Sequence, residues 1–120
     1  MNISFLIPPV LDGTHDVDRC FGCNYSIYFL PLLGALYPAT ELKQRGHTVT
    51  VRDFAAERAG ARKFQEFVSA AGADIYCFYT VFLSQETDRR ARQAIREAHP
   101  RAKFIFAGPQ PTWNASAFLD

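Results

Sequence analysis

Three short stretches of the chain hold residues whose types and spacing could do chemistry. Cys20-Phe-Gly-Cys23, with His15 upstream, offers two thiols and an imidazole to a metal ion, or a dithiol to redox exchange. A closed zinc site needs four ligands, and beyond these three the stretch adds only a few acids. A thioredoxin-type dithiol opens a helix directly, whereas Asn24 to Leu30 separate Cys23 from the helix signal at Pro31. His15, Cys20 and Cys23 are therefore secondary candidates for a metal.

Thr80-Val-Phe-Leu-Ser84 brings two hydroxyls to the expected start of a helix. Backbone donors there can meet an anionic or amide-bearing ligand, and the plainer reading is good helix capping. In Gly108-Pro-Gln-Pro-Thr112 the glycine lets a ligand approach the backbone closely. Pro109 and Pro111 stiffen the turn on either side of Gln110, and Thr112 supplies a hydroxyl.

These stretches need a frame to bring them together, and the periodicity of the chain supplies one. Ile3-Ser-Phe-Leu-Ile7 is an apolar run stopped by Pro8-Pro9, as expected for a buried first strand. Thr48 to Asp53 alternates, with Val49 and Val51 on one face, and suits a strand nearer the edge of a sheet. Ile75-Tyr-Cys-Phe-Tyr-Thr80 is continuously apolar up to its last residue, which predicts a central strand covered on both faces. Lys103-Phe-Ile-Phe-Ala107 makes a fourth.

Helical spacing fills the intervals. From Pro31, residues Leu32, Leu33, Leu36, Ala39 and Leu42 form an apolar stripe that ends at Gly46, with a kink expected at Pro38. Phe64, Phe67, Val68 and Ala71 form a second stripe. Ala91, Ala94, Ile95 and Ala98 form a third, in a helix capped by Ser84 with Glu86 and Asp88 in its first turn. Trp113 to Asp120 is read as the opening of another helix. His47 and His99 fall at helix ends, where an imidazole completes a cap.

Strands alternating with helices predict an α/β fold, a doubly wound parallel sheet of Rossmann-like or flavodoxin-like type. Ligands in such sheets bind beyond the carboxyl ends of the strands, where residues 8–30, 80–84 and 108–112 converge. The first of these connections is far longer than the usual two to six residues, which suits a binding loop. Four strands are one fewer than such a sheet ordinarily has, so residues 1–120 are expected to be one domain truncated at its C-terminal end.

Composition narrows the function classes. Thirteen basic and twelve acidic side chains give a net charge of +1, which creates no field to gather nucleic acid or an anionic membrane. The N-terminal apolar run is broken by prolines, has no basic leader and has no small-residue cleavage site, so it is not a secretory signal. No stretch is long enough to span a bilayer. Three cysteines are an odd number, with Cys77 inside a strand pattern, and a reducing cytoplasmic setting is expected.

Two common uses of this fold fail at named residues. A dinucleotide site would use Asp53 at the end of the second strand, but Pro8-Pro9 replaces the glycine fingerprint. A phospho-receiver wants acids at the strand ends, and the third strand offers Tyr79-Thr80.

Taken in order, Phe5-Leu-Ile-Pro-Pro9, Pro31-Leu-Leu-Gly-Ala-Leu-Tyr37 and Leu42-Lys-Gln-Arg-Gly-His-Thr-Val49 resemble the opening of cobalamin-binding domains that precede radical S-adenosylmethionine (radical SAM) modules. Ala73-Asp-Ile75 and His99-Pro-Arg-Ala-Lys-Phe-Ile-Phe-Ala-Gly-Pro-Gln-Pro-Thr112 resemble the last two strand signatures of the same family. The resemblance implies a cobalamin lying across the carboxyl ends of the strands, its nucleotide tail entering the cleft there. Pro8, Pro9, Thr80, Val81, Phe82, Ser84, Gly108, Pro109, Gln110 and Thr112 would line it.

The Asp-x-His-x-x-Gly motif of methionine-synthase-like relatives is absent, since Asp12-Gly-Thr-His15 has another spacing. The resemblance thus implies a cobalt without a histidine lower ligand, although His15 lies in the candidate loop. Ala107 stands where relatives often carry a glycine, and its methyl would narrow the slot for the tail. Cys20, Cys23 and Cys77 do not form the Cys-x-x-x-Cys-x-x-Cys pattern of a radical SAM cluster. An iron-sulfur cluster and S-adenosylmethionine are accordingly expected in a downstream radical SAM module of the same parent chain, the enzyme being a methyltransferase or a relative of one. The alternative expectation is a flavodoxin-like domain that binds flavin or a protein partner without catalysis of its own.

Overall fold

The computed structural model of the chain describes residues 1–11, 31–70 and 72–119. Strands β1 (Asn2–Ile7), β2 (Thr48–Asp53), β3 (Ile75–Tyr79) and β4 (Lys103–Ala107) alternate with helices α1 (Leu33–Gln44), α2 (Ala61–Ala70), α3 (Gln85–Ala98) and the short α4 (Pro109–Trp113). Single turns of 3-10 helix lie at Phe82–Ser84 and Ala115–Ala117. The strands form one parallel sheet in the order β2-β1-β3-β4, which is the α/β arrangement of flavodoxin-like and Rossmann-like folds.

The order explains the composition of each strand. The inner strands β1 and β3 are covered on both faces and are almost wholly apolar, Asn2 and Ser4 excepted, while edge strand β2 alternates. Parallel register sets Ile3 and Phe5 beside Val49 and Val51 on one side and Ile75 and Cys77 on the other. That face packs on Ala35 and Ala39 of α1. The opposite face presents Leu6, Tyr76 and Phe78 to Phe64 and Val68 of α2 and to Ala91 and Ile95 of α3. Phe64 and Phe54 meet edge to face at 5.4 Å, both fully buried, and each such side chain contributes about 1.5–3 kcal/mol.

Helix α1 departs from the expected stripe. It starts at Leu33, two residues after Pro31, and runs unbroken through Pro38. Its buried residues are Ala35 and Ala39, which let the helix lie close to the sheet, whereas Leu33 and Leu36 face outward with Tyr37. Gly46, at φ +87, ends the helix as expected.

The expected turn at residues 108–112 is also helical. Pro109 opens α4 with Gly108 at its N-cap, so the helix precedes Trp113 instead of beginning there. The chain then folds back over β4: Phe118 is buried against Phe106, with centroids 5.0 Å apart, and its carbonyl accepts a hydrogen bond from the Arg92 guanidinium at 3.2 Å. On the other face of β4, beyond the reach of α1, Ile105 stays 50% exposed. None of the helices among the described residues is long and apolar enough to cross a membrane.

Candidate ligand site at the carboxyl end of the sheet

The parallel topology brings the exits of β1, β3 and β4 to one end of the sheet. Pro8, Pro9 and Val10 leave β1 as buried residues, so the prolines serve as internal packing at this point. The chain is then strapped to α3: the Leu11 amide donates to the Thr87 hydroxyl at 3.1 Å, and Arg90 donates to the Leu11 carbonyl at 3.1 Å. His15, Cys20 and Cys23 lie outside the described residues. Among those described, no group of three or more His, Cys, Asp or Glu side chains is placed to hold a metal ion.

The exits of β3 and β4 are joined tightly. The Thr80 amide donates to the Ala107 carbonyl at 2.7 Å, and the Gln110 amide donates to the Thr80 carbonyl at 3.3 Å. Gly108 adopts φ +104, and a Cβ placed on it would stand 2.7 Å from the Thr80 carbonyl oxygen. The glycine is thus demanded by the chain's own backbone, in the position the sequence reading gave to an approaching ligand.

The polar side chains expected at the site are largely committed within the protein. The Ser84 hydroxyl accepts from the Val81 amide at 3.1 Å and donates to the Asp88 carboxylate at 2.9 Å. It therefore fastens the 3-10 turn, and Asp88, in the first turn of α3 as expected, is buried with it. The Thr112 hydroxyl donates back to the Gly108 carbonyl at 2.9 Å, as hydroxyls inside helices do. The Gln110 side chain donates to the Gln85 side chain at 2.6 Å and ties α4 to the start of α3. Thr80 is fully buried, and its hydroxyl has no hydrogen-bond partner among the described residues.

Around these committed groups stands an apolar rim. Phe82 is 76% exposed, Leu83 48% and Trp113 88%, each on a connection that leaves the carboxyl end of β3 or β4. Leu33, on the first turn of α1, is exposed as well. Asp53, weighed above as a ribose ligand, accepts the Ala55 and Ala56 amides at 3.0 Å each and closes its own turn.

Sequence reasoning passed over Tyr79, the last residue of β3. Its ring edge lies 3.2 Å from where a Cβ on Gly34 of α1 would stand and 3.4 Å from the corresponding position on Gly108. The signal was available: alternation along β3 turns Tyr79 toward α1, where Gly34 is the small residue of the first turn.

A separate groove of about 650 Å³ lies under α2 at the amino-terminal half of β1 and β2, with Ser4, Thr50 and Phe67 among its lining residues. The Thr50 hydroxyl donates to that of Ser4 at 3.2 Å on its floor. It is remote from the carboxyl-end rim.

Comparison with protein-family models, with curated proteins and with solved structures finds no match to this chain. Its functional reading rests on its residues and their geometry.

Proposed function

We propose that this chain binds cobalamin across the carboxyl end of its sheet, as the N-terminal domain of a cobalamin-dependent radical SAM enzyme. The observation that carries the reading is the rim of exposed Phe82, Leu83 and Trp113 at the place where this fold class takes its ligands. A corrin is a broad ring with apolar faces and amide arms, and large exposed apolar side chains suit such a face better than they suit water. The rim fits the ring. A tail slot between β3 and β4 does not fit, because Thr80, Ala107 and Gly108 close that space. When bound, cobalamin supplies the chemistry, methyl transfer to an unactivated carbon in the resemblance, and this chain supplies binding and orientation. The iron-sulfur cluster and S-adenosylmethionine belong, in this reading, to a separate downstream module.

Titration with hydroxocobalamin, followed by corrin absorbance, tests the proposal. We expect a shifted spectrum with the unaltered chain and at least tenfold weaker binding when Phe82 and Trp113 are both changed to Ser. Both side chains are exposed, so the melting temperature should hold. Absence of a shift would sink the reading, and binding of flavin in its place would support the flavodoxin-like alternative.

One observation favours the alternative of an interaction domain. The apolar rim and half-exposed Ile105 on edge strand β4 would equally suit the surface of a protein partner. The same titration separates the two, since a partner-binding surface leaves the corrin spectrum unchanged.

A further inference from the structure

Tyr79 closes β3, an inner strand, so its side chain stands at the middle of the carboxyl end. Two glycines from distant parts of the chain meet the same edge of its ring. A Cβ on Gly34 would lie 3.2 Å from ring carbon Cε2, and one on Gly108 would lie 3.4 Å from the same atom. The first distance is tighter than ordinary carbon–carbon contact and the second is ordinary contact, so a methyl on Gly34 would press on the ring and one on Gly108 would touch it. The ring is therefore held in a notch between the first turn of α1 and the start of α4.

Its hydroxyl is in a different position from the other polar groups nearby. Ser84 and Thr112 have committed their hydroxyls, Thr80 is sealed from solvent, and Gln110 is bonded to Gln85. The Tyr79 side chain is partly exposed, and its hydroxyl makes no hydrogen bond to another of the described residues. A phenol both donates and accepts, which matches amide groups on a ligand.

We propose that Tyr79 is the hydrogen-bonding anchor of the carboxyl-end site, its ring seated in the Gly34–Gly108 notch and its hydroxyl offered to an amide arm of the ligand. The inference deepens the cobalamin reading and rests on it for the ligand.

Two measurements on the full chain test it. Hydroxocobalamin titration of Tyr79→Phe should show binding weakened about three- to tenfold, the loss of one hydrogen bond, with the melting temperature unchanged. Binding by the unaltered chain that Tyr79→Phe leaves as strong removes the anchor alone. A lack of binding by the unaltered chain removes the cobalamin reading and the anchor with it. The notch is tested without ligand: Gly34→Ala should lower the melting temperature by about 2–4 °C in the presence of Tyr79 and raise it in a Tyr79→Ala background, where alanine's helix preference acts unopposed. A rise in both backgrounds would show that the ring does not occupy the notch.

Discussion

Cys77 illustrates how much a single residue's surroundings decide. It lies on the α1 face of β3, packed with Ile3 and Phe5, and burial pushes its thiol from the ordinary 9.0 to about 11. Thiolate is the reactive form, so this cysteine is inert in the folded chain. The shift also links to stability. Below about pH 9 both folded and unfolded chains keep the proton. Between about 9 and 11 the unfolded chain releases it while the folded chain holds it, so folding is progressively disfavoured as pH rises through that window. We expect a loss on the order of 2 kcal/mol from this thiol between pH 9 and 11, read by urea denaturation, and a smaller loss in Cys77→Ala. Equal slopes for the two proteins would contradict the assignment. Burial raises the Tyr76 phenol in the same direction, which is why the comparison with Cys77→Ala is the informative one.

At the scale of elements, the joint between the end of β3 and the start of α4 is the most demanding piece of geometry. Gly108 sits at φ +104 and ψ −177, a region open to glycine alone, with the Thr80 backbone where a Cβ would go. Gly108→Ala should destabilise the chain by about 3 kcal/mol in chemical denaturation, whether or not ligand is present. A loss below about 0.5 kcal/mol would mean that the joint is looser than described.

The same joint marks how far the elements were legible in the sequence. The bounds of β2 and β4 and the burial of β1 and β3 follow from alternation and apolar runs, because inner and edge strands differ in how many faces they hide. The face of α1 was less legible. Leu32, Leu33, Leu36 and Ala39 are all apolar, and only the distance to β1 and β2 decides that the alanines turn inward. At the site, Thr80, Ser84, Gly108 and Thr112 do gather at one end of the sheet. The hydroxyls of Ser84 and Thr112 are used by the Asp88 carboxylate, the Val81 amide and the Gly108 carbonyl, partners that a linear reading does not reveal. Tyr79 escaped notice because the two glycines that seat it lie 45 residues before it and 29 residues after it in the chain.

For the whole molecule, two candidate ligand surfaces lie toward opposite ends of the sheet. The carboxyl end carries exposed Phe82, Leu83 and Trp113, and the amino-terminal half of β1 and β2 carries the groove floored by Ser4 and Thr50. Chain charge is nearly balanced, at +1, so apolar contact and hydrogen bonding must supply most of any affinity. The two ends are therefore alternative places for a ligand, and location distinguishes them. The most direct measurement is an amide and indole NMR titration of the full chain with hydroxocobalamin. Binding across the carboxyl end predicts shifts at Val81, Phe82, Gln110 and the Trp113 indole, with Asn2, Thr48 and Gly72 unmoved. Shifts confined to Asn2, Thr48 and Gly72, or none at any of these residues, would contradict it.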